Sequence, residues 1–260
     1  MEFIDSHAHL YAEEFDSDLN SVVNNAKELG VVQVLLPNID EASIDRLFKT
    51  CNLYPDFFKP MMGLHPTSVK SDYKRQLQLI YAKLKENRSQ LIAVGEVGLD
   101  FYWDKTFKEE QIIAFEQQLE WALDENLPVV IHSREAYKEL EEILKNPKWK
   151  TLRGVIHSFS GNEEDLDRFL ALDNWMIGIN GILTFKNSSL SSFVKKIPLK
   201  RLLIETDSPY FAPVPFRGRR NESAYLFHTL KKLADCYEIS VEKMAEQTKN
   251  NTLDLFAIHI

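Results

Sequence analysis

Pro128-Val129-Val130-Ile131-His132 is a short, unbroken apolar run that ends on an imidazole. Its apolar residues do not alternate with polar ones. Such a run suits a strand buried on both faces, as in the parallel sheet of an α/β fold. Upstream, Phe107, Ile112, Phe115, Leu119, Ala122 and Leu123 recur at helical spacing. Downstream, Asn162 stands where it can cap a helix carrying Leu166, Phe169 and Leu170. The same unit repeats along the chain. Candidate strands are Phe3–Ile4, Val31–Leu36, Phe57–Met62, Leu91–Val94, Pro128–Ile131, Gly154–Ile156, Trp175–Ile179 and Arg201–Ile204. Helical patterns between them include Leu19, Val22, Val23, Ala26 and Leu29 with Gly30 as terminator, and Tyr225, Leu226, Leu230 and Leu233. Ser240 is placed to cap a last helix. Strands alternating with helices imply βαβ units. Eight strands in 260 residues favour a TIM-type (β/α)8 barrel, one domain over 1–260, with an open doubly wound sheet as the alternative.

Composition narrows the function. The hydrophobic fraction is 44%, which excludes a mainly disordered chain. A net charge of −8 argues against a broad basic face that coats nucleic acid. It leaves room for a small site in which metal ions supply positive charge. Cys51 and Cys236 form no C-x-x-C, so neither a disulfide framework nor a cysteine-rich zinc module is expected, and a cytoplasmic location is the simplest reading. The start of the chain lacks the basic and apolar regions of a secretory signal, and no apolar stretch is long enough to span a membrane.

The chemistry gathers at strand ends. His7 and His9 follow the first strand, Glu96 the fourth, His132 the fifth, His157 the sixth and Asp207 the eighth. In a parallel barrel all these ends open on one mouth, the C-terminal face, where barrel enzymes place their sites. In the H-x-H of residues 7–9, alternating side chains return to one face, so both imidazoles can address one ion. Glu96 can offer one oxygen to each of two ions. A single strand-end histidine is more often a structural residue. The joint occurrence of six nitrogen and oxygen donors on five strands favours a metal site. His228 and His259 lack such placement and read as ordinary helix or terminal residues.

With these residues in view, the sequence resembles the TatD family of metal-dependent deoxyribonucleases. The matching segments are F-I-D-S-H-A-H-L at 3–10, G-L-H-P at 63–66, V-G-E-V-G-L-D-F-Y at 94–102 and V-V-I-H-S-R at 129–134. G-V-I-H-S-F-S-G at 154–161, L-L-I-E-T-D-S-P-Y at 202–210 and R-G-R-R-N-E at 217–222 complete the set. The resemblance implies metal ligation by His7, His9, Glu96, His132, His157 and Asp207, with Glu96 as the bridge. Glu96 stands where related amidohydrolases often carry a carboxylated lysine, which favours the nuclease branch. Two divalent ions are implied, magnesium as the functional one, with zinc or manganese also compatible with the donors.

The expected activity is phosphodiester hydrolysis in DNA, 3′-to-5′ and exonuclease-like on single strands or ends, with the ions activating a water. Asp207 is expected either to take the proton of that water or to act as a ligand alone. Asp5 and Glu205 would orient ligating groups through hydrogen bonds. His65 resembles a family pocket residue that contacts the scissile phosphate. Arg134, Arg217 and Arg219 are expected phosphate partners, and Tyr102 a stacking platform for a base. The substrate would be DNA, a few nucleotides at a time, bound by a monomer. Hydrolysis of an ester or amide such as an aminoacyl-tRNA linkage on the same barrel, or a scaffold with a vestigial site, are the competing functions.

Overall fold

The computed structural model describes residues 1–259. Its strands are β1 (Phe3–Asp5), β2 (Val31–Pro37), β3 (Phe58–Met61), β4 (Val94–Asp100), β5 (Val129–Arg134), β6 (Gly154–Ile156), β7 (Trp175–Ile179) and β8 (Leu202–Ile204). Every pairing between neighbours is parallel, in the orders β1-β2-β3 and β4-β5-β6-β7-β8. Two parallel bridges join these runs into a ring, Met62 with Val94 and Ala8 with Ser208. Backbone hydrogen bonds reinforce both seams: Gly95 N–H donates to Met62 O (3.1 Å) and Asp207 N–H to His7 O (2.9 Å). The barrel expected from the strand count is therefore the observed architecture, and the open-sheet alternative is set aside.

The helices are α1 (Leu19–Glu28), α2 (Ile44–Leu53), α3 (Tyr73–Glu86), α4 (Lys108–Glu125), α5 (Tyr137–Leu144), α6 (Glu163–Leu170), a single turn α7 (Leu190–Phe193), α8 (Leu226–Tyr237) and α9 (Val241–Phe256). Local chemistry explains their ends. Asn162 and Asp165 form a reciprocal capping box on α6, and the Ser240 hydroxyl accepts from Lys243 N–H at the start of α9. After α1, Gly30 takes φ +98°, and a Cβ there would lie 2.2 Å from Met1 O.

The barrel interior has two storeys. The lower one is apolar: Ile4, Leu35, Met61, Ala93, Val130, Val155 and Leu203 pack together, and Leu255, Phe256 and Ile258 stopper it from below. Two residues further on, within β5 and one residue past the ends of β6 and β8, the inward positions become His132, His157 and Glu205, because side chains of extended backbone return to one face with period 2.

One boundary differs from expectation in a way that matters. The fourth strand runs from Val94 to Asp100 rather than ending at Val94, and β5 continues to Arg134. The register shifts once between Val94 and Val97; from Val97 with Ile131 the pair then runs regularly to Asp100 with Arg134, and Phe101 N–H donates to Arg134 O at 2.9 Å. Mutual pairing carries both strands above the ring. Glu96 and His132 thus sit inside strands, not after them, and are held at both ends.

Candidate metal centre

Side chains from β5 and from the segments just past β1, β6 and β8 converge on the carboxylate of Glu96, which is 2% exposed. Its two oxygens face different partners. Oε2 lies 3.2 Å from His7 Nε2 and 3.6 Å from His9 Nε2. Those nitrogens are 3.7 and 3.4 Å from Asp207 Oδ1. Oε1 lies 3.0 Å from His132 Nδ1, 3.2 Å from His157 Nε2 and 3.2 Å from His65 Nε2. All six residues expected as ligands are gathered here, and His65 joins them. Three sets of donors, His7–His9–Asp207, His7–His157–Glu205 and His65–Glu96–His132, each have atoms mutually within 4.8 Å.

For four of the rings, the far side decides which nitrogen carries a proton. Tyr11 donates its hydroxyl proton to Pro37 O (2.6 Å), so at 3.1 Å it must accept from His9 Nδ1–H. Neutral His9 then presents a bare Nε2 to Glu96 and Asp207. His157 Nδ1 is 3.0 Å from Glu205 Oε1, off the line of an ideal hydrogen bond, which likewise favours a bare Nε2. His132 Nε2 faces Asp100 Oδ2 at 2.9 Å and leaves Nδ1 for Glu96. Lone pairs and carboxylate oxygens thus point at one another, an arrangement that a cation or added protons must satisfy. His65 is the exception. Its Nδ1 accepts from Thr67 N–H (3.2 Å), so in the neutral ring Nε2 is the protonated nitrogen and donates toward Glu96.

Electrostatics follows the same division. Burial alone would raise the Glu96 carboxyl, but the imidazoles of His65, His157 and His7 hold it well below the ordinary carboxylate range. Asp207 is held to about 2 because His157, His9 and His7 outweigh its burial. Burial depresses His7, assisted by His157, and burial likewise depresses His65. For His157 the carboxylates of Glu205, Glu96 and Asp207 overcome burial and push its pKa well above the ordinary value. Asp100 and Glu96 do the same for His132, against the effect of its burial.

Backbone features support the site. Asp207 adopts φ +57°, a left-handed conformation uncommon outside glycine, and is held by the Asp207 N–H to His7 O bond and by Tyr210 N–H donating to Asp207 O (2.8 Å). A Cβ on Gly178 would lie 2.6 Å from Glu205 Oε2, so the missing side chain makes room for that carboxylate. On α4, Gln118 holds both the N–H and the C=O of Leu64, beside His65, and Gln111 does the same for Asp100.

Other expected residues divide. Glu205 contacts His157 and also accepts from Ser158 N–H. Asp5 stays outside the cluster. It accepts from Thr206 N–H (2.9 Å), the Thr206 hydroxyl (2.6 Å), the Ser223 hydroxyl (2.6 Å) and His7 N–H (3.4 Å), which ties β1 to the chain after β8. Burial pushes its carboxyl up to about 7 against these bonds. Arg134, Arg217 and Arg219 line a mouth cavity of about 820 Å³ above the cluster. Trp103 lines it too, whereas Tyr102 does not; instead the Arg134 guanidinium lies 3.8 Å from the Tyr102 ring centre. Phe101 is core. Arg220, from the same basic cluster, is taken up by Asp18 at 2.8 and 2.6 Å.

Tyr11 and Asp100 were not foreseen. Each had a signal in the period of 2: Tyr11 continues the face of His7 and His9, and Asp100 lies four residues after Glu96 on the longer strand. Thr67, which sets the His65 tautomer, had no such signal.

Comparison with known proteins agrees with this geometry. The family model described as TatD related DNase matches residues 4–257. The chain is 36% identical over 256 residues to the uncharacterized metal-dependent hydrolase YabD of Bacillus subtilis, covering 98% of this chain and 99% of that one. It is 31% identical over 256 residues to the 3′-5′ ssDNA/RNA exonuclease TatD of Pantoea ananatis, covering 96% and 97%. The crystal structure of YjjV, a TatD homologue from Escherichia coli K12, superposes with a TM-score of 0.92 at 29% identity, covering 99% and 98%. The chain belongs to the TatD family of metal-dependent hydrolases.

Proposed function

We propose that the chain, acting as one barrel domain, hydrolyses phosphodiester bonds of DNA from the 3′ end of single strands or frayed ends, with two divalent ions. The observation that carries this reading is the two-sided Glu96: Oε2 faces His7 and His9, Oε1 faces His132 and His157. Bound ions would activate a water and offset charge on the phosphate. His7, His9 and Asp207 would hold one ion and His132 and His157 the other, with Glu96 shared. Asp207 remains ionised at working pH, as a ligand or a proton acceptor must. Asp100 and Glu205 keep His132 and His157 in the tautomers that present a lone pair. His65, with its proton on Nε2, is placed to donate a hydrogen bond to a phosphate oxygen rather than to ligate. Arg134, Arg217 and Arg219 supply cationic contacts to phosphates, and Trp103, 68% exposed at the rim, offers a face for a base.

Imidazole-rich donors suit zinc or manganese, while magnesium is the ion we assign to turnover. Among the described residues no helix is long and apolar enough to cross a membrane. A cytoplasmic monomer acting on a few nucleotides at a time completes the proposal. It is tested by digesting DNA and RNA oligonucleotides labelled at either end, with Mg²⁺, Mn²⁺ or Zn²⁺ and with EDTA. Metal-dependent loss of single nucleotides from the 3′ end is expected. Full activity in EDTA, or turnover only of an aminoacyl ester, overturns it.

A further inference from the structure

The loops after β6, β7 and β8 enclose a second cavity beside the mouth, of about 500 Å³. That falls within the roughly 300–1,000 Å³ usual for ligand sites. Its apolar wall is Ile182, Phe185, Leu190 and Val214, and its charged residues are Lys186 and Arg217; no Asp or Glu lines it. On a chain of net charge −8 an acid-free, doubly cationic cleft is a local inversion of charge. Among the described residues no carboxylate lies within ion-pair distance of Lys186 or Arg217. The nearby Lys195 and Lys196, in contrast, pair with Glu238 and with Glu163 and Asp167. Arg217 lines both this cleft and the mouth. Its guanidinium carbon lies 3.5 Å from the Phe185 ring centre, so the fork is held on an aromatic face.

We propose that this cleft is a further nucleotide subsite, which rests on the reading that the mouth hydrolyses a polynucleotide. The mouth houses the scissile phosphate and the two nucleosides that flank it. The cleft takes the third nucleotide of the retained strand, its base against the apolar wall. Arg217, shared by both cavities, grips the intact phosphate between the second and third nucleotides, and Lys186 in the same lining adds the second positive charge that holds it. A guanidinium pinned on a ring is pre-organised for two phosphate oxygens, and an apolar wall accepts any base by its π face. The subsite therefore reads strand length rather than base identity.

The test compares kcat/KM of the whole protein, with Mg²⁺, on a single-stranded dinucleotide and a tetranucleotide. Two variants address the cleft alone: Lys186→Glu, at an exposed position, and Ser189→Trp, which fills it. The wild type should prefer the tetranucleotide by roughly ten-fold, the scale of one stacking and phosphate contact. Each variant should lose most of that preference through KM while dinucleotide turnover stays near wild type. If Ser189→Trp does not fold, Lys186→Glu carries the test. Equal kcat/KM for both lengths in the wild type, or a preference that survives in Lys186→Glu, overturns the subsite and leaves the hydrolase reading standing. Failure to cleave either length with Mg²⁺, Mn²⁺ or Zn²⁺ overturns both.

Discussion

The upper and lower storeys of the barrel are built from the same strands and the residues just past their ends, two residues apart, and their chemistry is opposite. On β5, β6 and β8 the steps are Val130 to His132, Val155 to His157 and Leu203 to Glu205. The lower storey removes apolar surface from water and stabilises the fold. The upper storey buries carboxylates and imidazoles with their lone pairs facing inward, which opposes folding unless protons or cations fill the space. The fold thus confines stabilisation and chemistry to adjacent layers, and a change in one layer should be read out separately from a change in the other.

The largest effects set the layers apart. Asp207→Asn keeps the shape and removes a negative donor, so hydrolysis of a labelled oligonucleotide should fall by about 10³-fold or more, with far-UV circular dichroism unchanged. Wild-type-like turnover would remove Asp207 from the site. Leu203→Ala should do the reverse. Denaturant unfolding should show a loss of roughly 2–5 kcal/mol, while kcat of the folded fraction stays within a few-fold of wild type.

Residues behind the donors should give intermediate effects. Asp100→Asn and Glu205→Gln leave the donors in place but loosen their tautomers. Calorimetric metal titration should show about 10–100-fold weaker binding. An unchanged affinity in both would mean that His132 and His157 are oriented by packing alone.

A pH series sharpens the contrast further. The folded, metal-free pKa of His157 is raised above its ordinary 6.5. The stability this contributes is fully present below the unfolded value and is lost as pH rises through the raised folded one. Metal binding runs the other way, because the cation needs the neutral ring and displaces its proton. Scanning calorimetry with and without metal should therefore give melting temperatures that separate as pH climbs above the ordinary imidazole value. Curves that stay parallel would break the link between His157 and the ion.

The smallest effect belongs to the surface. Arg220→Ala breaks a partly exposed pair with Asp18 outside the mouth and should change stability by about 1 kcal/mol or less, with no change in kcat/KM. Arg217→Ala, three positions earlier in the same loop, should raise KM.

Much of this was legible in advance, for identifiable reasons. A strand buried on both faces must be an apolar run, and Val129-Val130-Ile131 is one. H-x-H states its own geometry, since the period of a strand is 2. The family motifs spread over the whole chain then tied the strand ends to one mouth. The fourth strand lies later than the apolar pattern implies, because Leu91–Val94 is more apolar than Gly95–Asp100. Pairing with β5, a long-range interaction, keeps the later segment extended. Asp100 is hidden with it, since it falls outside the apolar run and inside the strand that pairing extends.

The arginines show most sharply where local sequence stops informing. Arg217, Arg219 and Arg220 are near-identical in local chemistry. Arg220 is consumed by Asp18, distant along the chain; Arg217 lies on Phe185 between two cavities. Residue types and their periods determined the barrel and the strand ends at which the candidate donors stand, because those depend on short-range geometry repeated along one segment. Which nitrogen of each ring faces inward, which oxygen of Glu96 meets which imidazoles, and which arginine is left without a carboxylate partner were settled only when distant segments closed the ring. These properties belong to pairs of residues, and the partner is chosen by three-dimensional proximity rather than by spacing along the chain.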